Sequence, residues 1–470
     1  MLGSLLFLLA EIGPMCSSDP NELRLSTRGL EHSLQLREYS QFSDLAKKNP
    51  WYSSSKNKLL LNLDSGIADI LCEDYKSGTG KLLKVSKMGE EYYTKSITRN
   101  ILSVLTNDMA LPYYGEDYEL TFAGNLAATA FAAAGDLEGA LIESRRSEHR
   151  LSVLSSAYEG KKKYSDDAFA HYLAGLLFES SGNYNDAVVS YKRAYNSYGG
   201  RFFPMRPDNL TRALIGASVA GGIDPGFGFQ SLTDSLKQTD LSISMRAIPD
   251  SAAAFIDNSM IFVAFTGNGP QKVEHVLSAH FTDDGIDHVI KIAIPEMKKK
   301  VSSISSVRIR VADGEPQQME LAADYNHIGV NAFKDKRNFI YAKTVARVSV
   351  RYLALRESKE KSIKKLKKKY EKIKEEDGED SRKAKTAKFK MRAASIGLDL
   401  LANELLEHAD TRCSIALPGA AFIARVPAPA DSQRVTVEYL DRSGSVLDTE
   451  ERTVFHGPDN GNVSIFSALF

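Results

Sequence analysis

The sequence predicts an α+β multidomain chain: an N-terminal α-helical repeat stack, then a small β-sandwich-like domain into which a long helical hairpin is inserted. Three observations carry this expectation. Residues 118–150 and 167–198 repeat one order of small and aromatic side chains. From Ser259 onward the apolar period changes from 3.6 to 2. Within that second region, residues 328–408 read as helix, and their two ends must return close together to let the strands continue. The expected divisions are an anchor segment at 1–20, a helical repeat domain at 21–240, β-domain parts at 255–327 and 410–470, and the helical insertion at 328–409.

At 470 residues the chain is too long for one ordinary core. Its 60 basic and 60 acidic side chains cancel, so no global field recruits nucleic acid or an anionic surface, and any such attraction must be local. An apolar fraction of 43% is enough to support a packed interior. Cys16, Cys72 and Cys413 lie far apart without paired metal-ligand spacing, which argues against a zinc site; a Cys72–Cys413 bridge stays open for an exported chain.

The apolar run Leu2, Leu5 to Ala10 is of signal-peptide length and far short of the ~20 residues that span a bilayer. It reads as an export signal, although its leading residues contain no Lys or Arg. Cys16 follows at the distance of a bacterial lipidation cysteine, but Gly13-Pro14-Met15 departs from the small residue preferred directly before it. A short buried N-terminal helix in a cytosolic protein is the alternative. If Cys16 is lipidated, several acyl chains hold the protein on a membrane without a spanning helix.

In the stretch 167–198, His171, Ala174, Gly175, Phe178, Gly182, Tyr184, Ala187, Tyr191 and Ala194 form the tetratricopeptide pattern. Small residues let two antiparallel helices approach, aromatic ones fill the space between hairpins, and Gly182 supplies positive φ at the turn. Gly124, Ala127, Ala128, Phe131, Gly135, Leu137 and Ala140 repeat the order. A weaker copy runs from Leu59 to Met88, where Gly78 and Gly80 weaken the second helix. Insertions at 97–117 and 151–165 break the usual period. On tetratricopeptide geometry the first helix of each hairpin exposes Asn125, Thr129, Tyr172 and Glu179 on a concave face, the expected partner groove.

Several pieces of the chain, taken in order, resemble an uncharacterised family of bacterial tetratricopeptide-containing envelope lipoproteins: Tyr114-Gly115-Glu116 with Glu119, Gly135-Asp136, the run 140–146, Asp167 to Tyr172, the run 182–187, Asn268 to Lys272, Ala409-Asp410-Thr411-Arg412 and Leu417-Pro418. The resemblance covers most of the chain and implies an exported, lipidated protein. The Lys/Glu-rich stretch after Leu355 is longer than that family needs.

Past Ser259, strands are expected near 260–265, 289–294, 307–311, 319–322, 421–426, 435–440 and 445–450, with hairpin breaks at Asp313-Gly314 and Arg442-Ser443-Gly444. The hairpin insertion carries a predominantly basic run, Lys359 to Arg392, as its tip. It reads either as a solvated helix or as a contact with anionic lipid or nucleic acid, and export disfavours the latter.

Catalytic motifs are missing from the sequence. Ser77-Gly78-Thr79-Gly80-Lys81-Leu82 imitates the end of a phosphate-binding loop, but Tyr75 replaces its first Gly and Leu82 its magnesium-binding hydroxyl. The nine histidines do not cluster at ligand spacing, and no cofactor, metal or nucleic acid is expected. Tyr114, Glu116, Glu143, Arg145 and Arg146 are the most chemical-looking residues; charge-assisted bonds tying helices to the Tyr114-Gly115-Glu116 loop are the favoured role. The expected function is therefore non-enzymatic binding of a protein or peptide in the cell envelope, with membrane attachment through a lipid anchor. Alternatives are a hydrolase of cell-wall or other polymers using Glu116 and Glu143, and a cytosolic scaffold.

Overall fold

The structure, a computed structural model, describes residues 20–99, 109, 111–157, 164–224, 226, 259–283, 286–379, 381–390, 408–427, 432–454 and 463–469. Cys16 and the whole apolar run before it lie outside these residues, as do parts of both insertions between repeats and residues 227–240 of the expected helical domain.

The N-terminal part is helical. It comprises α1 (Pro20–Gln35), α2 (Tyr39–Lys48), the short α3 (Pro50–Ser53), α4 (Lys58–Leu71), α5 (Tyr75–Arg99), α6 (Asp117–Ala133), α7 (Leu137–Ala157), α8 (Ala168–Ser180), α9 (Tyr184–Ser197) and α10 (Asp208–Gly221). Sequence neighbours pack on one another as α4 with α5, α6 with α7 and α8 with α9. The repeated small residues do what their size suggests: Ala174, Ala187 and Ala194 are fully buried, and a Cβ on Gly175 would stand 2.3 Å from the Tyr191 ring. Gly135 and Gly182 take φ of +80° and +74° at the turns between paired helices. Gly78 corrects the expectation of a mere weak point in α5. A Cβ there would meet the Gly66 carbonyl oxygen at 2.9 Å and an Ile70 side-chain carbon at 2.4 Å, so close approach of α4 to α5 requires glycine.

The C-terminal part holds the sheets. Strands β1 (Ser259–Asn268), β6 (Glu320–Asp324), β7 (Pro418–Pro427) and β10 (Val463–Ala468) form one sheet in the order β10-β1-β7-β6, with β1 and β10 parallel and the other pairs antiparallel. A second sheet, β5-β4-β8-β9, is built from β5 (Gln317–Gln318), β4 (Ser306–Val311), β8 (Gln433–Leu440) and β9 (Val446–Val454). The break at Arg442-Ser443-Gly444 separates the paired strands β8 and β9, whereas the strand expected to pair with β4 across Asp313-Gly314 is β6, which pairs with β7 in the first sheet, and the short β5 takes its place beside β4. β2 (Gln271–Asp283) and β3 (Ile286–Lys298) form a separate antiparallel ribbon. The sequence reading contained neither β2 nor β10.

Alternation along β1 explains how the parts join. Met260, Phe262 and Ala264 face a core shared with Val307, Ile309, Val435, Val437 and Tyr439 of the second sheet. Ile261, Val263 and Phe265 face the opposite way and belong to the core that contains the helices. Both faces of this strand are therefore buried, which is why it reads as a near-continuous apolar run. Phe122 of α6 meets Phe265 edge-on at 5.8 Å between ring centroids. At full burial, each side chain of that size stabilises by about 2 kcal/mol.

The insertion begins as α11 (Tyr325–Asp377), a single 53-residue helix, long enough for ~80 Å at 1.5 Å per residue. Tyr325, Ile328, Ala332 and Phe333 are buried at its base, where it packs on β3, β7 and α6. Gly378, at φ +82°, ends it, and residues 382–390 begin a second helical leg. The turn is acidic, with Glu375, Glu376, Asp377 and Glu379 around it, so the lysines belong to the legs and not to the end of the arm. The rest of the return, 391–407, lies outside the described residues.

Candidate functional site

Three of the pieces that carried the family resemblance, Tyr114-Gly115-Glu116 with Glu119, Asn268 to Lys272, and Ala409 to Arg412, meet at one buried junction between the helices and the sheets. The loop before α6 supplies Tyr113 and Glu116, α6 supplies Asp117 and Glu119, β2 opens with Lys272, α11 adds Lys336, and the segment before β7 adds Asp410, Arg412 and Ser414.

Glu116 caps α6. Its side chain and that of Glu119 form a reciprocal capping box, because the first amides of a helix have no partner within it. Lys272 Nζ lies 2.5 Å from one Glu116 oxygen, and Lys336 Nζ lies 3.5 Å from the other and 2.7 Å from Asp117. Burial alone would raise the Glu116 carboxyl, but the two ammonium groups outweigh it and hold it at about 2. Lys272 is itself almost enclosed, its side chain 7% exposed; burial opposes its charge, yet Glu116, Asp410 and Glu119 push its pKa upward.

Glu119 completes the link across the junction. It accepts hydrogen bonds from the Tyr113 hydroxyl and from the Glu116 and Ser414 amides, the last at 2.9 Å. Arg412 forms a bidentate pair with Asp410 through Nε (2.8 Å) and Nη2 (2.7 Å) and donates from Nη1 to Asn57 Oδ1 and the Leu111 carbonyl. The Tyr113 ring lies near both Lys272 and Arg412, whose cationic groups are 5.7 and 5.5 Å from its centroid. Asp64 of α4 lies beyond, accepting from Tyr52, Ser414 and Ala416; burial is the largest effect on it and raises it to about 7. Cys413 is buried and its thiol is pushed up to about 12 by that burial, and both Cys413 and Cys72 are free thiols, so the bridge left open by the sequence does not form.

The junction alternates charges along two groups, Lys272–Glu116–Lys336–Asp117 and Asp410–Arg412. Glu116, held at about 2 between two lysines, has no proton to give at neutral pH, and Asp64 is fully buried. Its chemistry is that of a clamp between the two halves of the chain.

The other sequence-singled residues fall elsewhere. Glu143 pairs with Arg146 at 2.6 Å on α7, while Arg145 lies over the Phe178 ring at 5.2 Å. The expectation that these arginines tie α7 to the Tyr114-Gly115-Glu116 loop is corrected, since the cations on Glu116 are Lys272 and Lys336. Tyr114 is 42% exposed and meets Tyr92 edge-on. The imitation phosphate loop lies within α5, where Lys81 pairs with Asp69 and donates to Ser43 at 2.9 Å.

The expected groove residues do not stand on an open concave face. Asn125, Thr129, Tyr172 and Glu179 are all buried. Glu179 accepts from Arg425 of β7 and from the Tyr191 hydroxyl, each at 2.7 Å, and the Tyr198 hydroxyl donates to the Ala322 carbonyl of β6. The chain's own sheet covers this side of the helices. The reason is compositional: Arg425, in the midst of an apolar strand, needs an anion, and Glu179 is the buried one that faces it.

Sequence reasoning missed Lys272, Lys336 and Arg412 as one unit. Lys272 and Arg412 each lay in a separate short stretch resembling that family, and nothing in the sequence around Lys336 marked it. Among the described residues, no group of His, Cys, Asp and Glu is arranged to hold a metal ion, and no helix is long and apolar enough to cross a membrane. Comparison with protein families, curated proteins and solved structures finds no match to this chain.

Proposed function

We propose that this chain is a non-enzymatic binding or scaffolding protein of the bacterial cell envelope, exported and held at a membrane by lipid on Cys16. The helical pairs are read as tetratricopeptide-type hairpins and the two facing sheets as a β-sandwich-like domain, in keeping with the lipoprotein family that the sequence resembles. The partner is a protein or peptide.

One observation supports this reading above the others. The 53-residue α11 is rooted in the buried junction through Tyr325, Ile328 and Phe333 and then leaves it with Phe339 73% and Leu353 60% exposed. Seating one end of a long helix in a clamp of ion pairs and aromatic rings gives a rigid arm, and Phe339, Val350 and Leu353 fall on one side of it, an exposed apolar stripe of the kind an interface with another protein covers. The inner face of the helical stack serves the fold, and the arm takes the role first expected of the groove. Affinity capture from envelope extracts tests this. The wild-type chain should recover a specific protein that Phe339→Asp with Leu353→Asp loses, whereas identical recoveries would contradict it.

A further inference from the structure

The arm carries a charge pattern that apolar contacts do not explain. Between residues 359 and 392 there are fifteen basic and seven acidic side chains, so the remainder of the neutral chain has an acidic excess of eight. Lys361, Lys364, Lys365, Lys368 and Lys372 recur at intervals of three and four, which puts them on one face of α11 over ~16 Å of its length. The helix has a fixed inner side: Tyr370 is 7% exposed, its hydroxyl reaches Glu379 beyond the turn, and Ala384 of the return leg is fully buried. Tyr370, with half-buried Leu366 and Ile373, lies opposite the lysines, so the packing of the hairpin turns the lysine face outward.

The ends of this face are paired, Lys361 with Glu357 at 2.6 Å and Lys372 with Glu376 at 3.7 Å. Between them Lys364, Lys365 and Lys368 are exposed, and none has a carboxylate partner among the described residues. The choice of cation indicates the kind of anion. Residues 359–374 contain nine lysines and no arginine. Arginine provides the planar fork that reads phosphates and bases bidentately, whereas lysine is a hydrated point charge suited to a diffuse layer of negative charge.

We propose that the lysine face of α11 docks on the surface of an anionic phospholipid bilayer. This rests on the reading of the arm as the contact element and adds a second, electrostatic contact to it. Each lysine near such a surface raises partitioning by about fivefold, so three charge reversals remove more than a hundredfold, and the attraction falls off within a Debye length of about 10 Å in 0.1 M salt.

The test is co-sedimentation of the full chain, carrying Cys16→Ala to exclude an acyl anchor, with phosphatidylcholine vesicles prepared with and without phosphatidylglycerol. Binding should require phosphatidylglycerol, weaken with salt, and be lost in Lys364→Glu, Lys365→Glu, Lys368→Glu. A control triple, Lys47→Glu, Lys48→Glu, Lys299→Glu, makes the same change in net charge at exposed sites off the arm and should retain binding. No binding, binding indifferent to phosphatidylglycerol, or equal loss in both triples would overturn the proposal. So would tighter binding to an RNA or DNA oligonucleotide at equal phosphate concentration. Failure here with continued capture of a protein through Phe339 and Leu353 would sink the bilayer contact alone and leave the arm as a protein-binding element.

Discussion

Replacing Lys272 with Met removes the central cation of the junction while keeping most of the side-chain volume. Its ammonium is 2.5 Å from Glu116 and 7% exposed, so the carboxylate it leaves behind stays in a poorly hydrated place. Breaking a buried pair from one side costs about 3–5 kcal/mol. A second route gives a similar figure. The fall of Glu116 from its usual 4.5 to about 2 corresponds to roughly 3 kcal/mol, to which Lys272 contributes more than Lys336. Because Lys336 remains within 3.5 Å, the lower end of the range is expected, about 3 kcal/mol. The sign with pH follows from the direction of the shift. A carboxyl depressed in the folded chain contributes stability above its unfolded pKa and loses it as pH falls from about 4.5 towards 2. Urea unfolding across pH 2.5 to 7, roughly the span that brackets this loss, should show that acid-side slope flattened in Lys272→Met. The double variant with Glu116→Gln should cost less than the sum of the two single ones. A single variant within about 0.5 kcal/mol of wild type, or an unchanged acid slope, would refute the account of the junction.

Gly175→Ala drives a Cβ towards the Tyr191 ring and should cost about 1–3 kcal/mol, whereas Gly80→Ala, with open space around its Cβ, should raise thermal stability by up to about 1 kcal/mol. Removal of the buried Arg425 as Arg425→Met strands Glu179 and should lower the urea midpoint by an amount worth about 3–5 kcal/mol. Burial opposes the charge on His171, but Asp166 and Glu148 outweigh it and raise the imidazole to about 9. The stability it contributes is fully present below about 6.5 and lost as pH rises through about 9, so His171→Gln should flatten the decline in unfolding free energy across that window.

The helix pairs were legible because their cause is local. Ala174, Gly175, Ala187 and Tyr191 fix the close approach of α8 and α9, and both partners lie within twenty residues of each other. β1, β4 and β8 were legible for a similar reason, since burial selects continuous or alternating apolar residues. β2 was not, because Gln271-Lys272-Val273-Glu274-His275 mixes charges along its length; Lys272 is charged for the sake of Glu116, 156 residues away. Glu179 and Tyr172 misled for the converse reason. Tetratricopeptide geometry put them on an open concave face, but Arg425, supplied by a strand 246 residues further on, accounts for the Glu179 carboxylate. Glu116 was singled out from the sequence, and its cations were misassigned to Arg145 and Arg146 because sequence proximity outweighed a tertiary pairing that no local pattern reveals.

The claim that the arm, and not the inner face of the helical stack, makes the protein's external contacts is tested most directly by site-specific photocrosslinking in the native cell. A crosslinker placed in turn at Phe339, Leu353, Lys368 and, as a body control, the 64%-exposed Met205 reads out which surfaces have neighbours. The account predicts a discrete protein adduct from Phe339 and Leu353, lipid adducts from Lys368, and neither from Met205. Adducts of equal yield from Met205, or none from any arm position, would contradict it.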